Sequence, residues 1–165
     1  MRMSLKGNKP MEQRSFFVRA ELCTGCGLCQ LACSLVKERE VNPEKSRIVI
    51  QRMVMDGLMI PHICLNCKEP PCVGVCRRRA LYRDAETGWI LIDRERCNNC
   101  TLCVAACPFS AIIVTPNKEV LLCDVCEGNP QCVEMCPTGA IQFADRAQGI
   151  VGTTDKAAED IWKSS

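Results

Sequence analysis

Sixteen of the 165 residues are cysteine, and they fall into four sets of four with none left over. The sets are Cys23, Cys26, Cys29, Cys33; Cys64, Cys67, Cys72, Cys76; Cys97, Cys100, Cys103, Cys107; and Cys123, Cys126, Cys132, Cys136. Each opens with C-x-x-C and closes with C-x-x-x-C. Only the middle gap changes, being two residues in the first and third sets, four in the second and five in the fourth. The pattern runs past the cysteines: Cys76-Arg-Arg-Arg-Ala80-Leu81, Cys107-Pro-Phe-Ser-Ala111-Ile112 and Cys136-Pro-Thr-Gly-Ala140-Ile141 share one plan, which reads as internal duplication. With only seven aromatic residues available for a conventional core, the cysteines have to help hold the chain together.

Thiols at this density serve either disulfides or metal. Disulfide scaffolds belong to secreted chains, and the opening Met1 to Ser15 shows neither an apolar export segment nor a twin-arginine pair, so a reduced, cytoplasmic, metal-binding chain is expected. Lys and Arg total 21 against 19 Asp and Glu, a formal charge of +2 that leaves no electrostatic footprint for nucleic acid or an acidic membrane. The longest uncharged run, Cys97 to Asn117, is broken by Asn98, Asn99, Pro108 and Pro116, so no membrane span is expected.

The spacing separates the metals. A loop with cysteines at i, i+3 and i+6 curls around a cubane and offers three thiolates. In C-x2-C-x2-C-x3-C-P the last cysteine ligates the other cluster of a pair. Cys97, Cys100, Cys103, Cys107 and Pro108 match that run residue for residue, and the first set matches except for Ser34 in place of proline. Structural zinc brings two two-cysteine knuckles together from separated places, which leaves a third cysteine three residues on without a task. Four 4Fe-4S clusters are therefore expected, one for each set.

Between the sets run short β-favouring segments around turn signals. Arg47 to Met55 and Leu58 to Ile63 flank Asp56-Gly57; Ala80 to Tyr82 and Trp89 to Ile92 flank Asp84 to Gly88; Ala111 to Val114 and Val120 to Leu122 flank Pro116-Asn117-Lys118. Each hairpin leads from one set to the next. Leu28 to Lys37 and Leu102 to Ala106 have helical composition, so short helices are expected after the loops. The polar tails, residues 1–15 and 144–165, read as extensions. Within the second, Thr154 to Ser165 has an N-cap threonine and an apolar stripe of Ala157, Ala158, Ile161 and Trp162, the pattern of a short helix that needs a partner surface.

The stretch from Cys23 to Ile141 resembles the four-cluster ferredoxin-like electron-transfer subunits of molybdenum and tungsten oxidoreductase complexes, and those of related hydrogenase and carbon monoxide dehydrogenase systems. The resemblance implies an α+β fold of two bacterial-ferredoxin-like modules, one nested within the other, with β-hairpin connections and short helices. The outer module takes residues 16–45 plus 117–143 and the inner 46–116. It also implies a crossed ligand pairing that spacing alone does not give: Cys23, Cys26, Cys29 with Cys136; Cys123, Cys126, Cys132 with Cys33; Cys64, Cys67, Cys72 with Cys107; and Cys97, Cys100, Cys103 with Cys76.

The departures from the family pattern shape the expectations. All four cysteines of the third set are present, where some members carry tryptophan and a three-iron cluster. Leu121-Leu122 precedes Cys123 where members often carry a basic residue, so one charge near that cluster is expected to be missing. Arg77-Arg78-Arg79 follows Cys76 in place of proline, as a solvated turn, a tuner of the neighbouring cluster or a docking element. His62 is read as a packing residue, since every set already has four thiolates; Trp89, Trp162 and Tyr82 are read as core or interface plugs; Pro70-Pro71 is read as stiffening the wider loop of the second set.

No nucleophile with a base, no carboxylate pair and no phosphate loop is present, so no substrate chemistry of the chain's own is expected. The implied role is a non-catalytic hetero-oligomer subunit. It would wire a catalytic oxidoreductase subunit, of tungsten or molybdenum type such as the aldehyde oxidoreductase kind, to a second redox module or carrier. The alternatives are a free polyferredoxin, whose signature would be a strongly acidic surface, and a hydrogenase or carbon monoxide dehydrogenase partner.

Overall fold

The computed structural model describes residues 14–146; the C-terminal helix expected over residues 154–165, with Trp162, lies outside them. Among the described residues eight short strands form four separate two-stranded antiparallel sheets. β2 (Val49–Met53) pairs with β3 (Leu58–His62), β4 (Leu81–Arg83) with β5 (Ile90–Ile92), and β6 (Ile113–Val114) with β7 (Val120–Leu121). These are the three hairpins between consecutive cysteine sets. The first of them turns more widely than a two-residue Asp-Gly turn, because a 3-10 turn over Val54–Asp56 precedes Gly57, whose φ of 66° closes the connection. That dihedral suits glycine, which has no Cβ to strain there.

The fourth sheet joins the two ends of the described chain. β1 (Arg14–Val18) pairs with β8 (Ile141–Asp145), Phe16 opposite Phe143 with ring centroids 4.9 Å apart. The Arg14 guanidinium lies 4.3 Å above the Phe143 ring. This sheet includes Arg14, Ser15, Ala144 and Asp145, which the sequence reading left in the extensions. Ser15 is buried and its hydroxyl donates to the Leu65 carbonyl at 2.7 Å, tying the sheet to the second cysteine loop.

Four helices follow the cysteine loops: α1 (Leu28–Glu38), α2 (Pro71–Gly74), α3 (Leu102–Ala106) and α4 (Gln131–Glu134). α1 begins after Gly27 in a left-handed conformation and ends at Arg39, also left-handed, whose N–H closes on the Leu35 carbonyl. Ser34 stands where the third and fourth sets have Pro108 and Pro137. Proline inside a helix removes a hydrogen bond and clashes with the preceding turn, so those two sets cannot continue a helix past their last cysteine, whereas α1 runs on through Ser34; the second set has Arg77 at this place and its helix ends at Gly74 all the same. Ser34 is fully buried; its hydroxyl donates to the Leu31 carbonyl and accepts from the Asn42 N–H. Pro71 opens α2, where a missing N–H costs nothing.

Helix α1 packs on α4, and α2 on α3. The core is a layer of aliphatic residues, among them Ile48, Ile63, Ile90, Leu122, Val125 and Ile141, interleaved with buried cysteines. Trp89 belongs to it at 4% exposure, as a core plug. His62 packs there too, its Nδ1 2.8 Å from the Phe109 carbonyl and its Nε2 2.8 Å from Gln51 Oε1, a bridge between the first hairpin and the third loop.

Candidate metal centres

Each C-x-x-C turn is made the same way. The residue before the second cysteine is left-handed in all four: Gly25 (φ 69°), Asn66 (φ 50°), Asn99 (φ 55°) and Val125 (φ 62°). Glycine and asparagine accept that conformation readily, whereas a β-branched valine is strained in it. Asn66 and Asn99 also anchor their turns to the next hairpin, the Asn66 Oδ1 accepting from the Ile90 N–H at 2.9 Å and the Asn99 Oδ1 from the Val120 N–H at 3.0 Å.

The last cysteine of each set receives backbone N–H donors on its sulfur. Ala80 donates to Cys76 Sγ at 3.2 Å and Ala111 to Cys107 Sγ at 3.4 Å, while N–H groups of Ala140 and Ile141 act on Cys136. A left-handed residue precedes each alanine: Arg79, Ser110 and Gly139. All three alanines are buried at 1% exposure. The repeated Cys-x-x-x-Ala plan is thus a turn that aims an amide at a thiolate. In the first set, where α1 runs on, the Arg47 N–H takes this role at 3.2 Å from Cys33 Sγ.

The turns bring thiols from different sets together. The charges that act through space on Cys29 are those of Cys23, Cys26 and Cys136; on Cys64, those of Cys72, Cys67 and Cys107; on Cys103, those of Cys97, Cys100 and Cys76. Cys132 faces Cys33 and Cys126, and Cys123 faces Cys132 and Cys33. One cavity is lined by Cys33, Cys123, Cys126 and Cys132, another by Cys64, Cys67, Cys72 and Cys107. The two cavities each bring three cysteines of one set together with the last cysteine of another.

The groups also adjoin one another. Cys29 of the first acts on Cys132 of the fourth-set group, Cys64 on Cys123, and Cys103 on Cys72. Thiols of the first and fourth, the fourth and second, and the second and third sets thus lie near one another. In the two middle groups Cys33, Cys123, Cys132, Cys64 and Cys72 are buried and Cys67, Cys107 and Cys126 half-buried. At the two ends Cys26 and Cys100 are exposed.

Burial makes these thiols poor anions on their own. It pushes Cys29 and Cys64 up to about 12 and Cys72 up to about 11, and raises Cys123 and Cys132 further. A cation in each group removes that penalty, since only thiolate binds metal. Burial also acts to raise Cys136, but hydrogen bonds from the Ile141 amide, the Thr138 hydroxyl and other nearby amides outweigh it and hold the thiol below its ordinary value. All sixteen thiols are free of disulfides. Among the described residues no three His, Cys, Asp or Glu side chains converge closely enough for a single metal ion. Four thiolates spread around a wider space fit a cubane, whose four irons each take one.

Three cations beside the middle groups escaped the sequence reading. Lys37 lines the Cys33–Cys123–Cys126–Cys132 cavity and pairs with Asp124 at 2.6 Å. Burial acts to lower the Lys37 pKa, but Asp124 more than offsets it and holds the ammonium charged. The charge expected to be missing near the fourth set is therefore supplied from α1, four residues and one turn after Cys33, a spacing that was visible in the sequence. Arg83 donates to the carbonyls of Cys67 and Lys68, and Arg146 to those of Leu65 and Asn66. Both partly offset the burial that raises Cys67. Nothing in the sequence marks these two as loop straps.

Residues 55–146 match the 4Fe-4S dicluster domain model, a span that takes in the second, third and fourth sets. The polyferredoxin-like subunit of the aliphatic sulfonate oxidoreductase of Pyrococcus furiosus is 40% identical over 120 residues, 72% of this chain and 69% of that protein. The thiosulfate reductase electron transfer subunit of Salmonella typhi is 33% identical over 135 residues, covering 73% and 70%. Among solved structures, a chain of the active site complex BamBC of benzoyl-coenzyme A reductase with zinc aligns over 92% of this chain and 88% of its own at 24% identity and a TM-score of 0.50, a likeness of fold. The family model, the curated relatives and the sixteen free thiols agree: this chain belongs to the 4Fe-4S dicluster domain family of iron-sulfur electron-transfer proteins.

Proposed function

We propose that the chain is the iron-sulfur subunit of an oxidoreductase complex, holding four 4Fe-4S clusters in a relay between a catalytic subunit and a second redox module or carrier. The observation that supports this reading is the convergence of thiols from different sets, with Cys26 and Cys100 exposed. When bound, a 4Fe-4S cluster supplies a one-electron couple. The chain's own residues hold the sulfurs, aim amides at the last cysteine of each set, bury most of the two middle groups and set Lys37, Arg83 and Arg146 beside them. The amides and the cations favour the more negative, reduced state and so raise the potential, while burial disfavours that state and acts the other way.

The ligand sets in this reading are Cys23, Cys26, Cys29 with Cys136; Cys123, Cys126, Cys132 with Cys33; Cys64, Cys67, Cys72 with Cys107; and Cys97, Cys100, Cys103 with Cys76. The nested arrangement, 46–116 within 16–45 plus 117–143, is supported by the β1–β8 sheet and by the packing of α1 on α4 and α2 on α3. The catalytic partner is read as a tungsten or molybdenum enzyme, of the aldehyde oxidoreductase kind, on the family resemblance and on the relative named for an aliphatic sulfonate oxidoreductase. No helix among the described residues is long and apolar enough to cross a membrane. A reducing cytoplasm is the compartment that suits sixteen thiols kept for metal. The test is anaerobic co-purification from the native cell with metal analysis. A larger subunit carrying tungsten or molybdenum is the expected companion; a chain that comes alone, or with a nickel enzyme, contradicts this partner.

A further inference from the structure

The two exposed ends of the relay are chemically unlike. At the first-set end the β2–β3 hairpin leans over the loop, Met59 lying within 3.1 Å of a Cβ built at Gly25 and Arg52 donating to the Gly25 carbonyl at 3.3 Å. The tip of that hairpin presents Val54 and Met55, 76% and 97% exposed. At the third-set end the chain presents Arg77, Arg78 and Arg79, all exposed, immediately after the ligand Cys76 and on the same group as the exposed Cys100. None of the three is in an ion pair among the described residues. Arg78 Nε donates to the Arg96 carbonyl at 3.3 Å, which adds the exposed Arg96 to the patch. Of the nearby carboxylates, Asp93 is spent on Arg96 and on the amides of Glu95 and Arg96, and Glu95 is exposed beside Arg96. A chain with a formal charge of only +2 has thus gathered three guanidinium groups without an ion pair, and the Asp93-paired Arg96, at one end of its relay.

Unpaired surface charge contributes little to folding. It does steer encounter with an oppositely charged partner and orient it. Resting on the relay reading above, we propose that the Arg77–Arg78–Arg79–Arg96 face is the docking site for an acidic one-electron carrier protein of the ferredoxin type, which exchanges electrons with the group of Cys76, Cys97, Cys100 and Cys103. One electron passes per encounter: the carrier loses one and the chain gains one, or the reverse, with no bond made or broken.

The test is stopped-flow reduction of the full chain, its clusters assembled anaerobically, by a reduced acidic two-cluster bacterial ferredoxin. The second-order rate should fall about tenfold between ~0.05 M and ~0.5 M salt, as screening removes the steering. Arg77→Gln with Arg78→Gln should slow the low-salt reaction about tenfold and flatten its salt dependence, with iron content and the number of electrons taken from excess dithionite unchanged. Arg77→Lys with Arg78→Lys, which keeps the charge and loses the guanidinium geometry, should remain near the parent. Arg79 is left in place because its φ of 51° makes it part of the turn. An unchanged rate and salt slope in the glutamine variant, or a parent chain reduced by ferredoxin without salt dependence, overturns the docking site alone. Failure of the parent chain to take electrons from dithionite overturns the relay reading instead.

Discussion

At the residue scale, the alanine four positions after the last cysteine was legible as a repeat long before its purpose was. Ala80, Ala111 and Ala140 are small because they are buried, and they sit where they do because a left-handed residue turns their amides toward sulfur. Gly139 holds that left-handed place at φ 66°, and a Cβ there would meet Gln142 Nε2 at an ordinary 3.6 Å. Gly139→Ala should therefore lower stability by about 1 kcal/mol through backbone strain alone, while Gly139→Asn costs less; denaturant unfolding of the loaded chain with iron content held fixed reads the difference. The crossed pairing gives a sharper expectation. Cys107→Ser should damage the cluster of Cys64, Cys67 and Cys72 before that of Cys97, Cys100 and Cys103, and spectroscopy showing loss only at the latter would contradict it. Thiols of the metal-free chain keep their protons below their ordinary value of about 8.5, so iron uptake must expel them. Competition with a chelator should show affinity rising between about pH 6.5 and 8.5, the sign set by proton release. What the sequence hid at this scale were the long-range cations: Arg83 and Arg146 reach loops that only the folded chain brings near.

The elements were legible where their causes are local. The Leu28 and Leu102 helices start within a residue of expectation because each follows a cysteine loop and has helical composition, and the three hairpins fall between the sets because apolar runs flank turn residues. The β1–β8 sheet was not legible, because its strands come from the two ends of the described chain and neither carries a turn signal for the other. Ser34 shows how one departure sets an element's length. Ser34→Pro should shorten α1 and leave the Asn42 N–H without its acceptor, costing roughly 3 kcal/mol. Circular dichroism should record lost helix and unfolding should begin at lower denaturant; an unaltered α1 would show that something other than the missing proline sets its length.

For the whole molecule, the sequence pattern proposes the ligands and the fold brings thiols of different sets near one another. Spacing could not choose which last cysteine joins which triplet, since that depends on the packing of helices from distant parts of the chain. With a layer of aliphatic side chains threaded by cysteine, metal and fold are coupled, and stripping the metal with a chelator should unfold the chain. The most direct measurement is the metal and acid-labile sulfide content of the anaerobically purified native protein. Four complete thiolate groups predict about sixteen iron and sixteen sulfide per chain, all in 4Fe-4S form by Mössbauer spectroscopy. About four zinc per chain, with no labile sulfide, would contradict the account.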